Sequence, residues 1–461
     1  MKTGEKAGKD RLYLGIDVGG TKVQASLIEE SGATVGRKRC PTPREGGPEQ
    51  TLQAIETAIG EVLEDAKIRA KDLTAIGIAI PGVVDPDAAR VVVTPNMNLT
   101  GVAIGSHLES RYDVPVAIGN DCNLGTLGEK WLGSARDADT VVGILVGTGI
   151  GGGYVHKGRL WRGARESAGE IGHIVMQIDG PKCGCGNHGC LEALASRSAI
   201  ERDLREAIAA GRDSVLPAFA EDNLKVIRSG MLRRALLAGD ELVTEVMRRA
   251  SEIIGHACLT VRHLIDPDVI VLGGGVMEAN SEFMMPIIEN VVGSDQLPGA
   301  RDGGRVLLSA LGDDAVVLGA VALARRHVGR SPFKKRFAVS PTYPMVVRPK
   351  FGEVSIGRKT YSRDIYIPVS GKIKKRDKTL ARQLYSSSHT IGPKELEKVC
   401  RGGPEVLFIA AGHSGQMKLN EEAERFLEQR AIKYEIRPTP EAVDAYNSSK
   451  QRKAALIHVT C

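Results

Sequence analysis

Residues 12–28, LYLGIDVGGTKVQASLI, and residues 140–161, TVVGILVGTGIGGGYVHKGRLW, share one pattern. Each is an apolar run, a tight turn of glycine and threonine, and a second apolar run. That reads as strand, turn, strand. One such unit predicts a hairpin. Two, far apart in one chain, predict two similar halves whose sheets begin alike. The intervening sequence fits that plan. Residues 48–69 place Leu52, Ile55, Ile59 and Val62 on one helical face. LTAIGIAIPGVVD (73–85) is a buried strand ending in a Pro-Gly loop, and PVAIGNDCNLGTLGEKWLG (115–133) is a strand, a polar turn and a helix start. Helices are expected from Leu191 and over 241–265. PDVIVLGGGVM (267–277) is a strand ending in three glycines, and 305–327 is a strand followed by a long helix. Strands alternating with helices predict an α/β architecture. Two similar halves leave a cleft where a ligand is expected.

A chain of 461 residues exceeds one compact core and implies two or three domains. Charge points to the same division. Residues 331–461 carry 25 Lys and Arg against 13 Asp and Glu, leaving 37 against 43 for the rest. The stretch 329–350 has prolines, basic residues and little periodicity, so it reads as a linker. Beyond it, 352–376 reads as strands in hairpins. Helices at 393–400, 420–430 and 440–448 then alternate with strands at 405–412, 433–439 and 454–460. No apolar run approaches about eighteen residues, so no membrane span is expected. The polar start MKTGEKAGKD is no signal peptide, which places the chain in the cytoplasm.

In that compartment disulfides are rare and clustered cysteines bind metal. Three of the eight cysteines stand in CGCGNHGCLE, residues 183–192. Cys183, Cys185 and Cys190, with His173 from the preceding EIGH, supply three thiolates and an imidazole, a set suited to tetrahedral Zn²⁺. Gly184, Gly186 and Gly189 let the loop fold around the ion, and His188 is expected to face solvent. Four protein ligands leave no open position, so the zinc is structural. Cys40, Cys122, Cys258, Cys400 and Cys461 read as plain thiols.

Other residues point to phosphate chemistry. In Asp17-Val18-Gly19-Gly20-Thr21-Lys22 the glycines admit a phosphate close to the backbone, and an aspartate ending a strand can hold hydrated Mg²⁺. An ordinary hairpin turn accounts for this motif equally well. There is no G-x-x-x-x-G-K-[ST] motif and no G-x-G-x-x-G turn opening a helix after the first strand, which argues against P-loop and dinucleotide readings. The second turn spans Gly147 to Gly153, and the two turns together can clamp a polyphosphate. Gly273-Gly274-Gly275 can admit a base or ribose. Asp121, after Asn120 at a strand end, can take a proton from a hydroxyl attacking a phosphoryl group. Taken alone it fits a helix N-cap better.

Together, DVGGTK, NDCNLGTLGE, GTGIGGG, EIGH and CGCGNHGCLE resemble the ROK family of bacterial sugar kinases and repressors. The resemblance covers about residues 10–328. It implies the actin/hexokinase-like fold, with two RNase H-like α/β domains at 10–133 and 134–328, and ATP-dependent phosphorylation of a hexose with Mg²⁺. It makes Asp121 the catalytic base. It makes Asn96, Asn120, Asp121, Glu170, His173 and Glu192 the sugar-binding set, His173 serving zinc with one ring nitrogen and the sugar with the other. Asp17, Gly19, Gly20, Thr21, Lys22, Thr148 and Gly149 would hold phosphates and Mg²⁺, and Gly274 and Gly275 would lie near the nucleoside. Glucose is the expected hexose and a dimer or tetramer the expected assembly. Fructose, N-acetylglucosamine and N-acetylmannosamine stay as alternatives, because Leu99 and Thr100 stand where many family glucokinases carry an aromatic. A non-catalytic sugar sensor is the alternative of another class. Only about ten polar residues precede the first strand, leaving no room for the repressors' helix-turn-helix, so no DNA partner is expected. After a linker at 329–344, residues 345–461 resemble the Mth938-like domain in GEVSIGRKTYSRDI, GHSGQMKL, PTPEAVDAYN and AALIHVTC. An ordinary loop is expected at Gly412-His413-Ser414-Gly415, rather than an anion site. The basic surplus reads as a solvated face or a contact for an unidentified partner or RNA.

Overall fold

The computed structural model describes residues 11–460, except 44, 95–96, 220–223, 301–302, 334–342, 358 and 450. Residues 334–342 of the stretch read as a linker therefore lie outside the described residues, and its end, Val346–Lys350, is a strand instead. The chain divides into two compact units. One holds residues up to Asp121, Trp131–Ser134 and Val316 onward; the other holds Cys122–Lys130 and Ala135–Ala315.

In the first unit a five-stranded sheet runs in the order Thr34–Pro41, Lys22–Glu29, Leu12–Val18, Leu73–Ile80, Val116–Asn120. The first three strands are antiparallel neighbours, and the last two join in parallel. In the second unit the order is Arg159–Leu160, Ile150–His156, Thr140–Val146, Val269–Gly273, Arg305–Leu308, with the same sequence of directions. The two strand–turn–strand stretches thus open two sheets of identical topology. The parallel strands are buried apolar runs, as sheets covered on both faces require. Thr34–Pro41 did not read as a strand from its sequence. It is an edge strand whose residues are half-buried or exposed, and basic residues at 37–39 interrupt any alternation of apolar positions.

Helix Pro48–Ala66 buries Ile55, Ala58, Ile59 and Val62, the face set by its 3–4 spacing. Helix Ala315–His327 covers the same unit's sheet from far along the chain. A Cβ on Gly77 would stand 1.9 Å from the Ala320 carbonyl oxygen, and one on Gly15 would stand 2.4 Å from that of Val317. The helix backbone lies directly on the strands. Its end is anchored by Arg325, which donates to the Glu30 carbonyl at 2.8 Å and lies over the Tyr13 and Trp131 rings. Because the obstacle at Gly77 is backbone, Gly77→Ala is expected to destabilise this unit by about 3 kcal/mol or more. Gly60→Ala, on an exposed helix face with nothing within 4 Å of the new methyl, is expected to be neutral or to stabilise by up to about 1 kcal/mol. Differential scanning calorimetry of the two variants separates close packing from mere glycine content.

The second unit's core joins its sheet to helices Glu241–Ile265 and Gly275–Gly293. Asp240 caps the first of these by accepting from the Val243 N–H at 2.9 Å.

The C-terminal residues form a three-stranded antiparallel sheet (Val346–Lys350, Glu353–Ile356, Lys359–Tyr361) and a five-stranded sheet. The latter runs in the order Lys374–Lys375, Ile365–Ile367, Lys453–His458, Val406–Ala411, Lys433–Arg437. Along Val406–Ala411, Leu407 and Ile409 enter one core while Val406, Phe408 and Ala410 enter another. The strand is buried on both faces, which is why its sequence is uniformly apolar.

Candidate active site and metal centre

The Gly19–Lys22 turn closes with the Gly19 N–H donating to the Lys22 carbonyl at 2.9 Å. Thr42 holds it from outside: its hydroxyl donates to the Gly19 carbonyl at 2.6 Å and its N–H to that of Thr21 at 3.1 Å. A Cβ on Gly20 would meet nothing within 4 Å. The protein's own packing does not demand glycine there, and the turn is open at that position. Asp17 ends the same strand, paired in register with Gln24.

Asn120 closes strand Val116–Asn120 and donates from its side-chain amide to the Gly82 carbonyl at 3.0 Å. Asp121 follows as the first residue of helix Asp121–Leu132, half-buried. The helix N-terminus favours the ionised carboxylate. The strand ends at Asn120, so Asp121 stands in the helix's first turn rather than at the N-cap position before it. Asn96 lies outside the described residues. Leu99 is fully buried in the first unit's apolar core, and the Thr100 hydroxyl accepts from the Thr94 N–H at 3.1 Å. Both have structural work at the position where an aromatic was missed.

In the second unit the turn after Thr140–Val146 is held by the N-terminus of helix Arg197–Ala209. The Arg197 N–H donates to the Gly147 carbonyl at 3.0 Å, and its guanidinium donates to the Thr148 hydroxyl at 2.7 Å. The Ser198 hydroxyl donates to the Thr148 carbonyl at 2.8 Å. The sequence reading missed Arg197. No motif marks it, although a cation beside a glycine turn is what a phosphate site needs. Glu192 Oε2 accepts from the Ile150 N–H at 2.9 Å, and a Cβ on Gly149 would fall 2.3 Å from that oxygen. The Glu192 carboxylate thus lies directly against Gly149, as the movable end of a side chain. Gly274 has a firmer structural reason to be glycine: φ is +87°, and a Cβ would reach 2.5 Å from the Val146 carbonyl. Gly275 begins the helix and has only the Ser229 hydroxyl nearby, at 3.9 Å.

His173, Cys183, Cys185 and Cys190 converge, with one ligand atom from each lying within 4.8 Å of all the others. Cys185 Sγ and Cys190 Sγ are 3.8 Å apart, and His173 Nδ1 is 3.7 Å from Cys183 Sγ. Metal–sulfur bonds of about 2.3 Å in a tetrahedron put two sulfurs about 3.8 Å apart, so the spacing suits zinc. Burial pushes the Cys183 thiol up to about 12 and raises Cys190, while the Asn187 backbone hydrogen bond lowers Cys185. Three thiols this close cannot all ionise without a cation among them. The loop folds on its own backbone: Cys183 N–H donates to Asn187 O at 2.8 Å, and Gly186 N–H to Cys183 O at 3.0 Å. Gly186 and Gly189 have positive φ, and a Cβ on Gly189 would sit 1.7 Å from the Gln177 carbonyl. Gly184 has neither constraint, contrary to the expectation that all three glycines are needed for the tight fold. His188 is exposed.

His173 presents Nδ1 to the cysteines and Nε2 toward Glu170, 4.0 Å from its Oε2. Glu192 Oε1 lies 3.7 Å from Cys183 Sγ. One loop therefore sets His173 and Glu192, and through Glu192 the glycine turn.

Residues 13–327 match the ROK family, and residues 347–458 match a family described only as protein of unknown function (DUF498/DUF598). A glucokinase of Halalkalibacterium halodurans is 32% identical over 319 residues, covering 69% of this chain and 96% of that protein. The DNA-binding transcriptional dual regulator NagC of Escherichia coli is 29% identical over 314 residues, covering 68% of this chain and 75% of the regulator. The crystal structure of a ROK family glucokinase from Streptomyces griseus, in complex with glucose and AMPPNP, superposes with a TM-score of 0.61 at 30% identity. It covers 68% of this chain and 99% of that one. With a hexokinase-like α/β fold, the site residues on its loops and a family match over most of its length, the chain belongs to the ROK family.

Proposed function

We propose that the chain transfers the γ-phosphoryl group of ATP to the 6-hydroxyl of a hexose, glucose first. The glucokinase relatives make the chain a sugar phosphotransferase; the hexose and the residue roles are this reading's own. The observation that carries it is the clustering around one loop of Glu170, His173 and Glu192, with Glu192 bound to the backbone of the second glycine turn. A loop so built sets acceptors for sugar hydroxyls beside a turn suited to phosphate.

Asp121 accepts the proton of the 6-hydroxyl as that oxygen bonds to the γ-phosphorus and the bond to the ADP oxygen breaks. Glu170, His173 Nε2, Glu192 and Asn120 orient the sugar. Asp17 and the turn Gly19–Lys22, with Thr148, Gly149 and the neighbouring Arg197, bind the phosphates. Mg²⁺, when bound with the nucleotide, neutralises phosphate charge. Zinc on His173 and the three cysteines has a structural role.

The regulator among the relatives favours one second reading, sugar binding without transfer. A coupled assay of ADP release decides. Glucose, fructose, N-acetylglucosamine and N-acetylmannosamine are offered in turn with ATP; polyphosphate then replaces ATP in a parallel assay that reads the sugar phosphate formed, since that donor releases no ADP. Turnover with glucose and ATP is expected to give the highest kcat/KM. Saturable glucose binding with neither ADP nor sugar phosphate from any sugar would replace the kinase by the sensor.

A further inference from the structure

We propose that the C-terminal domain carries its own binding site for a small phosphomonoester, in a cavity beside the Lys374–Lys375 edge of its five-stranded sheet. The cavity measures about 590 Å³ and is lined by residues 362–364, 375–379 and 382 and by Val459 and Thr460. That size is within the range of small-molecule pockets, about 300–1,000 Å³. The inference does not rest on the kinase reading.

Its floor is a buried charged network. Asp364, whose side chain is 1% exposed, accepts from Arg376 at 3.1 Å, Lys378 at 3.0 Å, His458 Nδ1 at 2.7 Å and the Val459 N–H at 3.3 Å. Arg376, fully buried, also forks onto Glu395, which accepts the Tyr366 hydroxyl at 3.0 Å. Burial alone would raise the Asp364 carboxyl. The hydrogen bonds and charges of His458 and Lys378 outweigh it and hold the group well below the ordinary carboxylate range. Buried ion pairs rarely add stability over apolar packing, so a network of this size at a cavity wall calls for another reason. It fixes the wall. With Nδ1 on Asp364, His458 turns Nε2 to the Thr460 hydroxyl, 3.4 Å away, at the cavity lining.

The charge balance sets the ligand class. Asp364 and Glu395 cancel Arg376 and Lys378. Of the other lining groups, Arg363, Lys375 and Arg382 are exposed cations, and only Asp377 opposes them, with one oxygen already accepting from the Thr379 N–H at 3.0 Å. The hydroxyls of Ser362, Thr379 and Thr460 supply further hydrogen bonds. Two guanidinium groups, an ammonium and hydroxyls around a closed floor suit a phosphate on a small body. In the loop 412–415, two of the backbone donors an anion would need are already engaged. The Gly412 N–H is taken by the Thr439 hydroxyl at 3.0 Å, and the Gly415 N–H bonds back to the Gly412 carbonyl.

The test is hydrogen exchange of the full chain, read by mass spectrometry, with glucose 6-phosphate, inorganic phosphate, glucose and a single-stranded RNA oligomer. Glucose 6-phosphate is expected to slow exchange in peptides covering 362–382 and 458–460, and glucose is not. Parallel slowing by inorganic phosphate assigns the site to the phosphate group itself. Slowing by glucose 6-phosphate alone assigns it to a sugar phosphate. The double variant Arg363→Gln, Arg382→Gln alters only exposed side chains and should weaken this protection at least about tenfold in ligand concentration. Lys433→Gln, on the opposite edge of the sheet, should leave it unchanged. Protection by neither phosphate compound, protection by RNA only, or equal loss in the Lys433 variant overturns the proposal.

Discussion

Replacing Asp121 by asparagine is expected to lower kcat at least about a hundredfold, the lower end of what removing a general base costs. Asparagine keeps the shape of the side chain and its place in the first turn of helix Asp121–Leu132. It removes the charge and the basicity. Sugar affinity should fall much less, because the other residues of the proposed sugar site, Asn120, Glu170, His173 and Glu192, are unchanged. The split between kcat and KM is therefore the diagnostic, measured by ADP release with glucose varied. A carboxylate that served only as a helix cap would give the opposite pattern: some loss of thermal stability and near-native turnover. Near-native turnover in this variant would remove Asp121 from the reaction.

Zinc removal should have the second-largest effect. Freshly purified protein, prepared under reducing conditions without added metal, should contain about one zinc per chain, the stoichiometry of one tetrahedral site. Cys185→Ser should lose the metal and raise the sugar KM about tenfold or more, since His173 is itself a ligand and Glu170 faces its other nitrogen. Nucleotide affinity should change little. Glu192 sits on helix Leu191–Ala195, whose Leu191 is fully buried, so its bond to the Ile150 N–H has support besides the metal. Zinc should also be released at acid pH as the thiolates protonate. Elemental analysis gives the decisive result. Protein without zinc, losing activity reversibly on mild oxidation, would make these cysteines redox thiols.

Local pattern carried much of this far. The paired strand–turn–strand stretches foretold two sheets, and their common strand order is the same pairing repeated. Apolar runs such as 73–80 and 406–411 announced strands buried on both faces. Ligand types and spacing announced the cysteine cluster. What stayed hidden was set by contacts between distant residues. Gly77 reads as an ordinary strand glycine until the Ala320 carbonyl is found against it. Arg197 stands in no motif, yet its guanidinium reaches Thr148. Gly274 reads as room for a nucleotide, while the Val146 backbone supplies a structural reason for it. Asp364 and His458 are 94 positions apart, and nothing in either neighbourhood names the other. Strand Thr34–Pro41 and helix Ile104–Tyr112 were missed because a short, half-exposed element leaves too few apolar positions to set a period.

The helix laid on Gly15 and Gly77 has a consequence for how the chain is made. Strand Leu73–Ile80 is complete once residue 80 has left the ribosome, but its covering helix starts at 315, about 235 residues later. At about 5–20 residues per second, that interval lasts roughly 10 to 50 s. Through it, the sheet face that the helix will cover has no lid. The loop-closure cost of so long a separation grows only with the logarithm of its length, so the finished unit loses little stability by it. The burden falls on time, in a nascent chain that holds an open apolar face until its last kinase-half helix emerges.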